Sequence, residues 1–276
     1  MLKNTPPTVS VIIPTIGRNT LAECQAALAQ QTRPPDEVII VIDEARRGPG
    51  WARNEGVKRA TGNLIAFTDD DCIPPADWLE QLVKVINDYQ AAGAGGTYLE
   101  TDPFLNQIRQ RRQIPETTQI DTVGWVGTGG NIMYRRAWLD QCAETDGYIF
   151  NETFRHFGAE DFELAWRLRQ RGGRLVFVAN KITHLRRVTP LSYLRHQFNR
   201  GVGVAKLFKI QKNANTSISP QPSLIWGQPT GPRWLTAVWS KAIGPLDIKS
   251  FTTPRYFWLF WLGEKSQGLG FLWGLR

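Results

Sequence analysis

The chain has 276 residues, 42% of them hydrophobic, and a formal net charge of +8, which suits one large globular domain or a domain with an appendage. Its three cysteines, Cys24, Cys72 and Cys142, are scattered and lack CxxC spacing, which speaks against a disulfide framework or a zinc site and fits a reducing cytoplasm. No run reaches the roughly 20 apolar residues of a membrane span, and Met1 to Val9 lacks the apolar core of a signal peptide. In chain order, Val9 to Thr15 reads as a first strand ending at Pro14-Thr15. Asn19 to Gln31 has helical spacing, with Leu21, Cys24, Ala27 and Leu28 on one face, and Arg33-Pro34-Pro35 breaks it. Glu37 to Ile42 is a second strand with Asp43 at its end. Gly48-Pro49-Gly50 forms a loop before a short helix, Trp51 to Ala60. Leu64 to Phe67 is an apolar strand running straight into Asp69-Asp70-Asp71, and Trp78 to Tyr89 is an amphipathic helix.

Repeated strand–helix alternation predicts a mainly parallel central sheet with helices on both faces. Gly93 to Tyr98 reads as a further strand, whereas the polar, Arg-rich stretch Asp102 to Ile120 matches no element. Val123 to Met133 reads as strand, glycine turn (Gly129-Gly130), strand. Arg135 to Gln141 is a short helix, and Phe162 to Gln170 a firmer one with Phe162, Ala165, Trp166 and Leu168 inward. Leu175 to Val178 is a strand followed by His184. Beyond it come a helix over Leu191 to Ile210, a Ser/Pro/Gly-rich linker over Asn213 to Pro232, and a Trp-rich end.

Charge divides the chain in two. From Arg186 onward there are 13 Lys/Arg against 2 Asp/Glu, leaving 20 against 23 before it; the same tail holds six of the eleven tryptophans. Basic residues mixed with Trp and Phe suit an anionic membrane surface. Trp258, Trp261, Phe271 and Trp273, with Arg255, Lys265 and Arg276, would sit at headgroup level. The same aromatics could instead cover the preceding domain or form a homodimer contact. No helix-turn-helix, zinc-finger or RNA-binding signature supports nucleic acid as partner.

The chemistry centres on the aspartate triplet. Three adjacent acids at a strand end repel one another, and a divalent cation, which takes oxygen ligands, offsets that repulsion. Ligands of open α/β sheets sit beyond the carboxyl ends of the strands, so the triplet reads as a metal site at the sheet mouth or as a solvated acidic turn. Asp43 reads as a ribose or base acceptor or as a turn acid; neither GxGxxG nor a P-loop accompanies it. Arg53 reads as a surface helix residue or as a fork holding a nearby carboxylate or phosphate. Glu160 and Asp161 read as acids favoured at a helix N-terminus or as a general base. His184 reads as a satisfied polar side chain or as a metal ligand.

Taken in order, Pro14-Thr15, Asp43, Ala52-Arg53-Asn54-Glu55-Gly56, Ala60-Thr61-Gly62, Phe67-Thr68-Asp69-Asp70-Asp71, Gly129-Gly130-Asn131 with Arg135-Arg136, and Glu160-Asp161-Phe162-Glu163-Leu164 resemble the motif series of family 2 glycosyltransferases of the GT-A fold. The resemblance spans about residues 8 to 187. It implies a 1–187 nucleotide-sugar domain with a 188–276 helical extension, a nucleotide-sugar donor of the UDP-sugar kind, a divalent cation (Mn2+ or Mg2+) and inversion at the anomeric carbon. It casts Asp69, Asp71 and His184 as metal ligands and Asp161 as the catalytic base. Pro14, Thr15, Asp43, Arg53, Asp69, Asp70, Gly129, Gly130, Asn131 and Glu160 become the nucleotide-sugar contacts. The acceptor would be a polysaccharide, glycolipid or lipid-linked glycan, and the protein would be cytoplasmic, peripheral on the cytoplasmic membrane face. Glu44-Ala45-Arg46-Arg47-Gly48 departs from the acid-rich loop of many members. A metal-dependent phosphohydrolase and a non-catalytic nucleotide-sugar or glycan-binding module are the competing classes.

Overall fold

A computed structural model describes residues 6–111, 117–120, 129–155, 158–214 and 254–275 of the chain. At its centre lies β1 (Val9–Thr15), with β2 (Glu37–Ile42) and β3 (Leu64–Phe67) as parallel partners on either side. β-Branched residues fit a pleated surface, and a strand covered on both faces reads as an unbroken apolar run. Alternation then divides the side chains between two layers. Val9, Val11 and Ile13 pack with Cys24 and Leu28 of α1 (Leu21–Ala29) and with Trp78, Leu82 and Ile86 of α3 (Trp78–Asp88). Ile12, Ile65 and Phe67 face the other way, onto Val57 of α2 (Pro49–Arg59), Leu139 and Cys142 of α5 (Arg136–Asp146), and Leu164 and Leu168 of α6 (Glu160–Gln170). The one polar residue within β1 before its end, Ser10, is fully buried and satisfied: its hydroxyl donates to Glu37 at 2.6 Å and accepts from the Gly62 amide at 2.8 Å.

The sheet is completed by β4 (Cys72–Ile73), β5 (Gly93–Glu100), β6 (Gln119–Ile120), β7 (Ile132–Arg135) and β8 (Leu175–His184), in the order β2-β1-β3-β7-β5-β8-β4 with β6 also beside β8. β7 is antiparallel to both β3 and β5, and β5 is parallel to β8. Hence β1, β2, β3, β5 and β8 all point the same way, and the sheet is mainly parallel with helices on both faces, as the alternation predicts. Their carboxyl ends share one edge.

Several elements differ from expectation for physical reasons. α2 begins at Pro49 rather than Trp51, because a proline suits the first helical turn and Gly48, at φ 110°, makes the entry. A Cβ at Gly48 would lie 2.9 Å from the Arg155 carbonyl. His184 does not follow the last strand but ends it: β8 continues past Val178 because Lys181 to His184 pair with β5, and Thr183 and His184 with β4. The expected inward face of α6 is also displaced. Glu163, Leu164, Ala165, Arg167 and Leu168 are buried, while Phe162 and Trp166 are partly exposed. The cause is a buried ion pair, in which Arg167 donates to Glu163 at 2.8 Å and to Asp146 at 2.9 Å. The unassigned stretch after Asp102 contains a helix, α4 (Pro103–Arg111), started by Asp102, whose carboxylate accepts from the amides of Phe104 and Leu105.

The chain then enters α7 (Pro190–Asn213), capped by reciprocal Thr189 and Ser192 side-chain bonds. It is covered by α8 (Pro254–Gly274). A Cβ at Gly201 would stand 2.0 Å from the Gln267 carbonyl, and one at Gly270 2.0 Å from that of Phe198, so glycine permits the two backbones to touch. Tyr193 meets Phe104 edge-on with ring centroids 4.8 Å apart, which ties α7 to α4. Phe271, expected at headgroup level, is buried between α7 and α8. Among the described residues no helix is long and apolar enough to cross a membrane. The strand expected over Val123 to Val126, most of the linker Asn213 to Pro232, the side chain of Arg255 and Arg276 lie outside the described residues.

Candidate active site

The shared carboxyl edge of the sheet opens into a pocket of about 610 Å³. Pro14 and Thr15 reach it from the end of β1, Asp43 from β2, Asp69, Asp70 and Asp71 from β3, Glu100 from β5 and His184 from β8, while Gly129, Glu160 and Asp161 close the far side. The topology alone brings these residues together: parallel strands deliver their carboxyl ends to one place.

The three aspartates do three different things. Asp70 is almost fully buried, accepting from the Thr15 hydroxyl at 2.5 Å and from Arg18 at 2.7 Å. Its carboxylate thus fastens β3 to the Pro14-Thr15 turn. Asp69 accepts from Arg53 at 3.3 Å and from the Tyr98 hydroxyl at 3.0 Å. Asp71 accepts from Arg18 at 3.0 Å and lies 3.4 Å from His184 Nε2. Burial works against its ionisation, but His184, Arg18 and Arg186 outweigh it and hold the carboxyl below the usual carboxylate range.

Arg53 is 4% exposed. It sits on the buried face of α2 and donates from one nitrogen to Glu160 at 2.7 Å and from another to Asp69 at 3.3 Å. Burial opposes its charge, yet Asp69, Glu160 and Asp161 together raise it above the ordinary arginine value. Asp161 stands beside this pair in the first turn of α6. Burial, and then the neighbouring Glu160, push its carboxyl up to about 7 against the opposing pull of Arg53. The amide of Phe162 donates to it at 2.9 Å. The turn into α6 runs through Gly158 at φ 71° and Ala159 at φ 76°. A non-glycine residue in that left-handed region is uncommon.

His184 is buried at the end of β8. Its Nδ1 is 2.8 Å from Glu100, whose other oxygen accepts from Arg109 at 2.7 Å. Burial would lower the imidazole, but Asp71 and Glu100 push it up to about 9. A carboxylate on one ring nitrogen orients the other toward an ion, the arrangement found around metal-ligating histidines. Asp71, Cys72 and His184 form a cluster whose potential ligand atoms lie within 4.8 Å of one another. Burial and the nearby aspartates raise the Cys72 thiol well above its usual value, so it stays protonated. Asp71 and His184, an oxygen and a nitrogen donor, therefore suit a hard divalent cation. Asp69 is outside that cluster, held instead by Arg53 and Tyr98.

The remaining sequence-predicted residues divide. Asp43 accepts from the amides of Arg47 and Gly48 at 2.9 and 2.7 Å, which makes it a turn acid that also lines the pocket. Gly130 must be glycine, since a Cβ would lie 2.5 Å from Asp69 Oδ2 and 2.6 Å from the Tyr98 hydroxyl. Gly129 leaves room for Arg53, which a Cβ would approach to 2.8 Å. Asn131 was expected to contact the nucleotide sugar, but its side chain points into the core. It accepts from Trp78 Nε1 at 2.8 Å and donates to Thr97 and Asn180 at 2.9 and 3.1 Å.

Sequence reasoning missed Arg18, Tyr98, Glu100 and Arg109. Arg18 had a signal, three residues past the Thr15 turn. The other three had none, because their roles depend on β5 and α4 meeting β8.

Residues 43–143 match the family model described as Glycosyl transferase family 2. "Glycosyltransferase AglE" of Haloferax volcanii is 28% identical over 130 residues, 37% of this chain and 43% of that protein. "Chondroitin synthase" of Escherichia coli is 24% identical over 227 residues, 59% of this chain and 32% of that protein. The chain thus spans less than half the length of these relatives. Among solved structures, the mannosyltransferase PcManGT of Pyrobaculum calidifontis, in complex with GDP-Man and Mn2+, superposes with a TM-score of 0.62 at 17% identity, over 99% of this chain and 89% of that one. S. aureus TarS 1-349 in complex with UDP gives 0.51 at 17% identity, over 96% and 90%. The resemblance to family 2 glycosyltransferases and the GT-A fold expected from the sequence are borne out.

Proposed function

We propose that this chain, whose residues 43–143 carry the glycosyl transferase family 2 pattern on a GT-A fold, moves a sugar from a nucleoside diphosphate to an acceptor hydroxyl with inversion at the anomeric carbon. The observation that carries the reading is that one pocket holds Asp71 with His184 at one place and Asp161 at another, with Arg53 ion-paired between Asp69 and Glu160. Asp71 and His184 would hold a divalent cation, Mn2+ or Mg2+, which would supply positive charge to the departing diphosphate. The acceptor hydroxyl attacks the anomeric carbon, the bond from that carbon to the diphosphate oxygen breaks, and the hydroxyl proton passes to Asp161. A carboxyl raised to about 7 is matched to that task near neutral pH. Arg53 keeps Asp69 and Glu160 in register with the base, and Gly129 leaves room for that guanidinium.

The donor we propose is a UDP-sugar, and the acceptor a polysaccharide, glycolipid or lipid-linked glycan. α8 supports delivery from a membrane. Trp258, Leu262, Leu269, Leu272 and Trp273 are exposed, at spacings that return to one side of a 3.6-residue helix. Exposed apolar surface on the helix that carries Lys265 suits an anionic lipid surface, which would place the protein peripherally on a cytoplasmic membrane face through residues 188–276. Binding to anionic liposomes at low salt, lost on Trp258→Ser with Trp273→Ser, is the expected result; a concentration-dependent dimer without liposome binding would assign this face to self-association instead.

The function itself is tested by incubating the protein with nucleotide sugars, Mn2+ and a panel of glycan and lipid-linked acceptors. Sugar transfer that stops when the acceptor is omitted is expected. Phosphate release without acceptor would favour a phosphohydrolase, and donor binding without turnover on any acceptor a binding module.

A further inference from the structure

Arg109 reaches the pocket wall from α4, in the Arg-rich stretch that the sequence leaves unassigned. One of its nitrogens donates to Glu100 Oε1 at 2.7 Å and another to the Thr97 hydroxyl at 3.2 Å. Glu100 Oε2 lies 2.8 Å from His184 Nδ1, and the two residues are partners in the β5–β8 pairing. Tyr98 touches both ends of this chain. Its ring centroid is 5.4 Å from the Arg109 guanidinium carbon and 4.4 Å from the His184 ring, tilted by 30°. Arg109, Glu100, His184 and Tyr98 therefore close a circuit, with the imidazole held in its plane by the carboxylate and on its face by the phenol ring. Glu100 is buried, and the last torsion of a glutamate is soft. With only one oxygen held, its carboxyl plane could swing; a cation on the other oxygen fixes it. Thr97 steadies the arginine in turn, and its own carbonyl accepts from Asn131 at 2.9 Å. α4 is anchored as well, because Phe104 meets Tyr193 of α7 and Tyr256 of α8 with ring centroids at 4.8 and 5.4 Å.

We propose that Arg109 is a positioning residue: acting through Glu100, it fixes where His184 Nε2 points, and so sets how tightly the pocket holds a divalent cation. This rests on the reading above, in which Asp71 and His184 hold that ion, and deepens it by making α4 a support of the metal site. An imidazole offers its lone pair along one line, so a ring turned out of line loses the ion although no ligand is removed. Nε2 lies 3.4 Å from Asp71, and that juxtaposition depends on the ring angle that the circuit holds. A neutral, non-bonding side chain at position 109 would leave the buried Glu100 charge to His184 alone, with one oxygen unpaired.

Two readouts on the full chain test this. Mn2+ affinity, titrated by calorimetry, is expected to fall about tenfold in Arg109→Met, and Arg109→Lys to keep most of it, because Glu100 retains a cation. On a Glu100→Gln background, Arg109→Met is expected to cost nothing further, since the two act as one unit. The second readout needs no metal. The proton of the His184–Glu100 hydrogen bond, identified as a downfield resonance that His184→Gln removes, is expected in wild type and Arg109→Lys and broadened by exchange with water in Arg109→Met. UDP affinity in EDTA is expected to be unchanged throughout. Either a wild-type Mn2+ affinity or an unchanged resonance in Arg109→Met overturns the proposal. So does a tenfold loss that persists in full on the Glu100→Gln background. A fall of UDP affinity in EDTA also overturns it, because Arg109 would then be a nucleotide contact. If Mn2+ binds neither wild type nor variant, the metal reading fails, while the resonance still decides whether Arg109 holds His184. A melting temperature lowered in Arg109→Met moves the comparison to Arg109→Lys against Arg109→Gln at a temperature where both are folded, with the lysine expected to bind Mn2+ more tightly and to keep the resonance.

Discussion

Arg53 and Glu160 stand 107 residues apart in sequence and 2.7 Å apart in space. The same guanidinium reaches Asp69 at 3.3 Å, so a single side chain on α2 ties the end of β3 to the start of α6. That tie sets how far the aspartate triplet lies from Asp161. Replacing Arg53 by Met leaves the buried Glu160 carboxylate without its partner, and breaking such a pair costs about 3 kcal/mol or more. Urea unfolding of Arg53→Met should show that loss. Arg53→Lys should show less, yet still impair transfer, because an ammonium cannot span both acids as the fork does. A wild-type unfolding midpoint in Arg53→Met would contradict the bracing role.

Asp161→Asn keeps the shape of the side chain and removes the base. Transfer should drop by about 10²–10⁴-fold, the usual range for general-base help, while nucleotide-sugar affinity stays as in wild type. Transfer within severalfold of wild type would take Asp161 out of the reaction.

The pH dependence follows from the same residue. Its carboxyl is raised to about 7 and must be ionised to accept a proton, so kcat/KM should climb with pH and level off above about 7. The folding side has the opposite sign. An acid whose folded value is raised binds its proton more tightly in the fold, so its contribution to stability is greatest at low pH and falls as pH rises from the ordinary carboxylate range through about 7. Asp161→Asn removes that fall. Its melting temperature relative to wild type should be higher at pH 8 than at pH 5; the reverse order would show that Asp161 is not a strained acid.

Asp71→Ala should weaken nucleotide binding and abolish its response to EDTA. Glu100→Gln, which loosens the carboxylate behind His184, should weaken Mn2+ affinity by about 10–100-fold while leaving Asp71 and His184 themselves in place. Calorimetric Mn2+ titration distinguishes the two. EDTA-sensitive nucleotide binding in Asp71→Ala would move the ion elsewhere.

Gly130→Ala places a methyl 2.5 Å from Asp69 and 2.6 Å from the Tyr98 hydroxyl. The hydrogen bond between those two groups must break, and transfer should fall more than stability does. Tyr98→Phe loses the same bond without the clash and should be milder. Equal activity of Gly130→Ala and wild type, measured with the same donor and acceptor, would show that this contact is dispensable.

The sequence identified the parallel strands, because Val, Ile and Leu runs closed by Gly and Pro have little alternative, and it placed Asp69 to Asp71 at a strand end. The ordered motifs then pointed to the family that the comparison of residues 43–143 bears out. It misjudged α6, since a buried Glu163–Arg167 pair looks like a solvated face when only polarity is read. It also put Asn131 in the pocket and Phe271 at the surface, where side-chain direction, not spacing, decides.

What the linear order could determine on its own was local: apolar periodicity, turn chemistry, and which residue types stand at strand ends. Tertiary structure decided which acid meets which cation. Arg53 and Glu160, and Glu100 and His184, come from elements far apart in the chain, and only the closure of the sheet fixes distances of a few ångströms within each pair. Charge pairing falls off over that scale inside a protein, so the site exists only once the fold has formed.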